Sequence, residues 1–304
     1  MVQLLDVRLS DLGTLADGRR FEWESLGEGK PLLWIEGGPG LPAHLGRPDV
    51  ALFARWFTAH LVNAPGCGRS SPPHRLEDYD LAGHVDFFDA VRASLGIDAW
   101  TLVGHSWGGL VATAYAAMRP LAVRRLIVVD GYAGGGSITE EDAAAERERS
   151  FARVRDRHWF AAAYAALEAN GALEAPTEQE DVDSFAPAWP LYFADPDRPW
   201  NRAHVERLAR ELRLNVDVER EWNEHHESVD RRDLARRVVC PSLILAGEHD
   251  FICGPVWNRA LAAAIPGARY VQIADAGHMP HYEQPERFME TVSAWLTDGE
   301  GRLS

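Results

Sequence analysis

The chain has 304 residues, of which 46% are hydrophobic and 25% charged, so it is long enough for one large globular domain with an insertion. Its net charge of −15 argues against binding to nucleic acid or to an anionic membrane. We see no apolar run approaching the roughly 20 residues of a membrane span, and no signal peptide. The three cysteines (Cys67, Cys240 and Cys253) lack the spacing of metal ligands and indicate a reducing compartment without a disulfide framework. We therefore expect a cytoplasmic protein with no metal or cofactor.

The first part of the chain alternates apolar runs with amphipathic stretches. Continuous apolar runs such as 31–35 and 100–103 are typical of strands buried in a parallel sheet. A loop rich in glycine and proline, 36–40, follows the first of these runs. The other predicted elements in this part are strands at 3–9, 20–25 and 58–63, and helices at 48–56 and 78–95.

The alternation continues in the second part, but only after a long interruption. A strand at 124–130 precedes a segment with helical periodicity and no apolar strand run, which opens on a possible hinge, Gly134–Gly136. Strands and helices resume near residue 240 and end with an amphipathic helix, 286–296. This order predicts an α/β fold with a mostly parallel central sheet flanked by helices. Residues 1–134 and 238–304 would form the core, and 135–237 a helical cap over the carboxyl ends of the strands, where such sheets place their sites.

The sequence Gly104-His105-Ser106-Trp107-Gly108 joins the apolar run 100–103 to a helical stretch, 110–118. Gly-x-Ser-x-Gly between a strand and a helix is the nucleophile elbow of the α/β-hydrolases. The turn is so tight that side chains two residues to either side of the serine would collide, and glycine at both positions removes the clash. Ser106 is therefore the predicted nucleophile. Epoxide hydrolases and dehalogenases, which use a carboxylate nucleophile, are disfavoured.

A serine hydroxyl needs a base to remove its proton, and the base needs an acid to orient it. His278 comes shortly after the last predicted strand, and Gly277 just before it permits a sharp turn there. This position favours His278 as the base over the neighbouring His249 and His281. Asp250, just past the strand at 242–246, is the predicted acid; Asp130, at the end of the preceding core strand, is the alternative. The order serine, acid, histidine is the one expected for this fold.

The oxyanion hole requires two main-chain N–H groups. The motif places one on Trp107, the residue after the nucleophile, and the other on the loop after the third strand, where Gly38 stands.

These motifs, with Glu36-Gly37-Gly38-Pro39-Gly40 and Gly66-Cys67-Gly68-Arg69-Ser70, resemble the proline iminopeptidase branch of the α/β-hydrolases. The resemblance covers the core and is weak in the cap. Two residues depart from the family pattern: Glu36 replaces a histidine and Asn63 an aspartate, at positions that brace the oxyanion loop. The resemblance implies that cap carboxylates bind the substrate's amino group. The candidates are Glu219, Glu221, Glu224 and Glu227, around Trp222, and we place substrate binding on Glu221, Trp222 and Glu224.

The expected function is that of a serine hydrolase that forms an acyl-enzyme with a small amide or peptide, most like an aminopeptidase. An esterase, lactonase or thioesterase is the alternative with the same chemistry. A ligand receptor built on a hydrolase fold is the alternative from another class, and the intact set of Ser106, His278 and Asp250 argues against it. The only partner that the sequence predicts is the small-molecule substrate, and it leaves the oligomeric state open.

Overall fold

The computed structural model describes residues 9–131, 138–171, 177–225 and 231–300. Within these ranges, eight strands form one sheet in the order β1-β2-β4-β3-β5-β6-β7-β8. The strands are β1 (Asp11–Thr14), β2 (Arg20–Leu26), β3 (Lys30–Ile35), β4 (Phe57–Val62), β5 (Trp100–His105), β6 (Val123–Val129), β7 (Ser242–Gly247) and β8 (Arg269–Ile273).

Strands β3 to β8 run parallel to one another, while β2 pairs antiparallel with both β1 and β4. The carboxyl ends of the parallel strands therefore meet along one edge of the sheet, and the loops that carry the predicted site follow from that edge. The predicted mostly parallel α/β fold is confirmed.

Helices cover both faces of the sheet because successive residues of each buried strand point to opposite sides. The core helices are α1 (Arg47–Phe53), α2 (Leu81–Ser94), α3 (Trp107–Met118), α10 (Pro255–Ala264), α11 (Pro280–Glu283) and α12 (Pro285–Glu300). Leu33, for example, packs on the face covered by α2 and α3, whereas Leu32 packs on the face covered by α1 and α12.

The described residues between 138 and 236, which we call the cap segment, lie in the chain between β6 and β7. As predicted, they contain helices and, within the described ranges, no strand. The helices are α4 (Glu140–Ala152), α5 (Phe160–Gly171), α6 (Glu178–Phe185), α7 (Pro199–Glu211), α8 (Val216–His225) and α9 (Arg231–Arg236), and a 3₁₀ segment (Ala186–Tyr192) lies between α6 and α7.

Two predicted features fall on residues that the structure does not describe: most of the strand at 3–9, and the hinge at 134–136. The first described strand is instead β1, a four-residue edge strand with mostly exposed side chains, which lacks the apolar pattern used for prediction. None of the helices in the described ranges is long and apolar enough to cross a membrane.

Candidate active site

Ser106 lies at the turn between β5 and α3, with φ 53° and ψ −121°, a strained backbone conformation for a residue other than glycine. Its N–H donates to the carbonyl oxygen of Val129 at 3.0 Å, which ties the turn to the end of β6. A Cβ on Gly104 would collide with the carbonyl oxygen of Gly108, and one on Gly108 with that of Ile35. The flanking glycines are therefore required by close main-chain packing, as the motif predicts.

The structure brings His278 and Asp250 together. The Nδ1–H of His278 donates to Oδ2 of Asp250 at 2.8 Å, and the N–H of Ile252 donates to Oδ1 at 2.8 Å. Burial alone would raise the pKa of Asp250, but His278 and these hydrogen bonds lower it, so the carboxylate is ionised. Burial also lowers the pKa of His278, against the opposing effect of Asp250. The neutral imidazole thus carries its proton on Nδ1, which leaves Nε2 able to accept one.

The alternative acid, Asp130, is the residue that follows β6. It has a φ of 44°, and its Oδ1 accepts the N–H of Gly247 at 2.8 Å. Burial and the negative charge of Asp250 raise the pKa of Asp130 well above its usual value. The Oδ2 atom of Asp130 is buried and has no hydrogen-bond partner among the described residues. Asp130 is therefore the protonated member of this pair of acids, and Asp250 is the acid that contacts the histidine.

The other two candidate histidines face different carboxylates. His281 lies in α11, with its Nε2 3.5 Å from Oδ1 of Asp49, and the Nε2 of His249 is 3.6 Å from Glu248. Glu248, His249 and Asp275 are the one group among the described residues with the spacing of metal ligands, their ligand atoms lying within 4.8 Å of one another. Both carboxylates of that group are exposed.

The N–H groups predicted for the oxyanion hole, on Gly38 and Trp107, belong to the loop after β3 and to the first residue of α3. Within the described ranges, no protein group accepts a hydrogen bond from either of them. Gly38 has a φ of +70°, and a Cβ there would lie 2.6 Å from the Leu41 side chain. The neighbouring N–H of Gly37 is already used, because it donates to Oε1 of Glu36 at 2.9 Å.

Glu36, which stands where the family pattern has histidine, braces the loop through both oxygens. Besides the Gly37 N–H, it accepts a hydrogen bond from the Trp34 indole N–H at 3.1 Å. Its carboxylate is also 3.6 Å from Nδ1 of His105, whose Nε2–H donates to the carbonyl oxygen of His278 at 2.8 Å. A chain of contacts therefore links the oxyanion loop to the loop that carries the histidine.

Asn63, the second departure, is explained by a buried carboxylate. Its Oδ1 accepts the Ala43 N–H at 2.7 Å, and its Nδ2 donates to Glu22 at 2.6 Å. Glu22 also accepts from the side chain of Arg69 at 2.7 Å. An aspartate at position 63 could accept from Ala43, but it could not donate to Glu22.

We expect Asn63→Asp to lower the free energy of unfolding by roughly 3 kcal/mol, because it sets two buried carboxylates against each other. The double variant Glu22→Gln/Asn63→Asp restores a donor opposite an acceptor and should recover part of that loss. Chemical denaturation of the three proteins measures both effects. A single variant as stable as the wild type would contradict this explanation of Asn63.

A cavity of about 210 Å³ lies beside Ser106, His278 and Gly38. Apolar side chains of the cap segment form much of its wall: Phe185, Trp189, Tyr192, Leu208, Leu212 and Leu214. The predicted nucleophile and base thus share one apolar pocket with the cap segment, as expected of a site for a small molecule.

The charged groups that line this cavity are mostly acidic. Arg207 also lines it, but its guanidinium is paired with Glu211 at 3.0 Å and donates to the carbonyl oxygen of Leu45 at 3.2 Å. The carboxyl groups in the lining are those of Glu36, Asp49, Asp181 and Glu219. Burial and the charge of Glu36 raise the pKa of Asp49 well above its usual value, so Asp49 adds little negative charge to the lining. The other three carboxyl groups, set against an arginine that is already paired, favour a ligand that carries a positive charge.

Two of these carboxyl groups come from the cap segment. Asp181 lies in α6 and is held by the Asn170 side chain of α5, whose Nδ2 donates to its Oδ1 at 2.9 Å. Glu219 lies in α8, and burial together with the charge of Asp181 raises its pKa to about 7. Three helices of the cap segment therefore bring two acidic groups to one part of the cavity.

The prediction that Glu221, Trp222 and Glu224 bind the substrate needs correction, because none of the three lines the cavity. Glu219 lines it instead. At 100° per residue, Glu221 and Glu224 fall on the side of α8 away from Glu219. Trp222 packs instead against Trp107 at 5.4 Å between ring centroids. Glu227, the remaining candidate, lies outside the described residues.

The fold and this arrangement define the class. The chain belongs to the α/β-hydrolase fold family, whose model matches residues 30–285. It is an α/β hydrolase of the serine-hydrolase type that resembles the proline iminopeptidase branch.

Individual relatives differ in activity. A proline iminopeptidase of Neisseria meningitidis serogroup A is 27% identical in an alignment of 277 residues that covers 84% of this chain and 86% of that protein. A haloalkane dehalogenase of Mesorhizobium japonicum is 26% identical in an alignment of 296 residues that covers 90% of this chain and 87% of the other. The enol-lactonase of Burkholderia xenovorans superposes with a TM-score of 0.69 at 21% identity, over 94% of this chain and 100% of the other. That structural likeness shows the shared fold alone.

Proposed function

We propose that the protein is a serine hydrolase of the aminopeptidase type, which removes an N-terminal residue from a small amide or peptide through an acyl-enzyme. The observation that carries this proposal is the pair of cap carboxyl groups, Asp181 and Glu219, in the same cavity as Ser106 and His278. In this proposal residues 135–237 act as the cap and the rest of the chain as the catalytic core.

In the proposed reaction, the Ser106 hydroxyl attacks the substrate carbonyl and gives its proton to Nε2 of His278. The ionised Asp250 stabilises the imidazolium that forms. The N–H groups of Gly38 and Trp107 stabilise the charge that develops on the carbonyl oxygen. His278 then passes the proton to the leaving amine, and a water molecule activated by the same histidine releases the acyl group from the serine.

The ammonium group of the substrate would bind between Asp181 and Glu219. Taking carboxylates out of water is costly, and a bound ammonium offsets that cost by charge-assisted hydrogen bonds. Since Arg207 is already paired with Glu211, it offers no strong competition for these acids. A substrate whose amino group is blocked would lose this interaction.

An ester, lactone or thioester is the alternative substrate, and the apolar wall of the cavity favours it. A non-catalytic receptor is the alternative from another class. A fluorophosphonate probe separates these classes, because a serine hydrolase forms a covalent adduct at Ser106 and a receptor does not. The serine at the nucleophile position argues against the carboxylate-based chemistry of a dehalogenase.

We expect Glu219→Gln and Asp181→Asn each to reduce kcat/KM for free-amine substrates by about ten- to a hundredfold, the equivalent of roughly 1.5–3 kcal/mol for a desolvated charge-assisted hydrogen bond. The same variants should leave N-blocked amides and simple esters almost unchanged. The measurement is a panel of matched chromogenic substrates with free and blocked amines. Glu224→Gln, on the opposite side of α8, is the matched control and should affect neither group.

The pH dependence gives the same test a second readout. Because the pKa of Glu219 is raised to about 7, its carboxyl becomes protonated as the pH falls through that value, and KM for free-amine substrates should rise. KM should also rise above about pH 8, where an α-amino group loses its proton. Equal changes for amine and blocked substrates would remove the cap carboxylates from the proposal and favour the esterase alternative.

A further inference from the structure

The loop that carries His278 is attached to the cap segment as well as to the core. The N–H of His278 donates to the carbonyl oxygen of Tyr192 at 2.7 Å, and the Tyr192 ring lies edge-on to the imidazole with 5.5 Å between centroids. The approach is so close that a Cβ on Gly277 would lie 2.5 Å from the Tyr192 carbonyl oxygen. The position of the histidine therefore depends on a main-chain group of the cap segment.

A buried carboxylate adds a second bridge between the two segments. Oε1 of Glu283 accepts the N–H of Gly277 at 2.6 Å, and Oε2 accepts the N–H of Ala194 at 2.8 Å. Glu283 is only 6% exposed and lies at the end of α11. Each of its oxygens thus binds a different segment, one next to the catalytic histidine and one in the cap.

We propose that Glu283 is a positioning residue, which clamps the cap segment to the loop of His278 and so fixes the imidazole for proton transfer. The inference rests on the proposed role of His278 as the base. Both donors are main-chain N–H groups. That of Gly277 lies one residue before His278, and that of Ala194 lies two residues after Tyr192, so the carboxylate that binds both fixes the two segments relative to each other. Glutamate suits this position because both of its side-chain oxygens accept hydrogen bonds, whereas glutamine has one acceptor and one donor group.

The test is Glu283→Gln, which keeps the shape of the side chain but turns an NH₂ group towards one of the two N–H donors. Burial raises the pKa of Glu283 to about 8, so rates are compared above that pH, where the carboxyl is ionised. We expect kcat to fall by about ten- to a hundredfold with KM changed less than about twofold, since small misplacement of a catalytic group has effects of this size. Glu290→Gln makes the same change at an exposed position of α12 and should leave the rate unchanged.

Ala194→Pro is a second variant, which replaces the N–H on the cap side by the proline Cδ and so removes the bond to Glu283 while leaving the carboxylate itself in place. Phe193 has an extended backbone (φ −111°, ψ 142°), which is the conformation required before proline. We expect a loss of kcat in the same direction. This variant keeps the proposal testable if Glu283→Gln does not fold.

Labelling of Ser106 by a fluorophosphonate probe, normalised to folded protein, separates the possible outcomes. Slower labelling of both variants, with circular dichroism spectra like that of the wild type, supports the clamp. Labelling at the wild-type rate with only a lower Tm would mean that Glu283 is merely structural, and would overturn the inference. A wild-type protein that is not labelled at all would instead overturn the proposed function.

Discussion

Ser106→Ala should abolish turnover, with a loss in kcat on the order of 10⁴–10⁶, because the proposed acyl-enzyme forms on the Ser106 hydroxyl. The substitution removes one hydroxyl and leaves the strained backbone of the elbow as it is, so we expect the fold and its Tm to persist. Steady-state kinetics, together with circular dichroism, measure the two quantities.

Residual activity needs a strict control, since traces of wild-type enzyme mimic a partly active variant. Active-site titration with the fluorophosphonate probe measures that contamination directly. More than about a tenth of the wild-type rate in protein free of titratable sites would be incompatible with a triad nucleophile at this position.

The second large effect is expected at the base and the acid. His278→Ala should match Ser106→Ala, and Asp250→Asn should lose roughly 10⁴ in kcat, because the acid holds the imidazole in the correct tautomer. Asp130→Asn should be far milder, since it replaces a neutral carboxyl group by a neutral amide that can still accept the Gly247 N–H. The comparison of Asp250→Asn with Asp130→Asn is a matched pair, with the same chemical change at two adjacent buried acids.

A reversed order of severity would overturn our assignment of the acid. If Asp130→Asn were crippling and Asp250→Asn nearly silent, Asp130 would have to be the group that orients the histidine during catalysis. Measuring the pH profile of both variants strengthens the comparison. Loss of the Asp250 charge removes the effect that opposes burial at His278, so its pKa should fall further only when Asp250 is changed.

The candidate site residues that follow a predicted strand could be located from the sequence. Ser106, His278 and Asp250 each directly follow a recognisable strand or the short loop after it, and parallel strands bring their ends to one edge. The chain order of serine, acid and histidine is the one expected for this fold, and it supports the choice of these three residues. The fold itself could be predicted because the buried strands are continuous apolar runs.

The cap could not be predicted in the same way, because its contribution depends on how three helices pack. Asp181 has no motif around it and reaches the cavity only through the placement of α6. Glu219 is one of the four cap glutamates that the sequence offers, and helical register places it on the opposite side of α8 from Glu221 and Glu224. The role proposed for Glu283 has no sequence signal, because its partners are main-chain groups of distant segments.

The hydrogen bonds between the cap segment and the His278 loop have a consequence for divergence and engineering. On the cap side they use the carbonyl oxygen of Tyr192 and the N–H of Ala194, and every residue except proline supplies both groups. These two bonds therefore place no demand on the identity of the cap side chains, whereas other contacts of the cap with the core, such as that of Trp200 with the Tyr282 carbonyl oxygen, do. A cap grafted from a relative should keep both bonds to the His278 loop and to Glu283 if its backbone follows the path of residues 192–194.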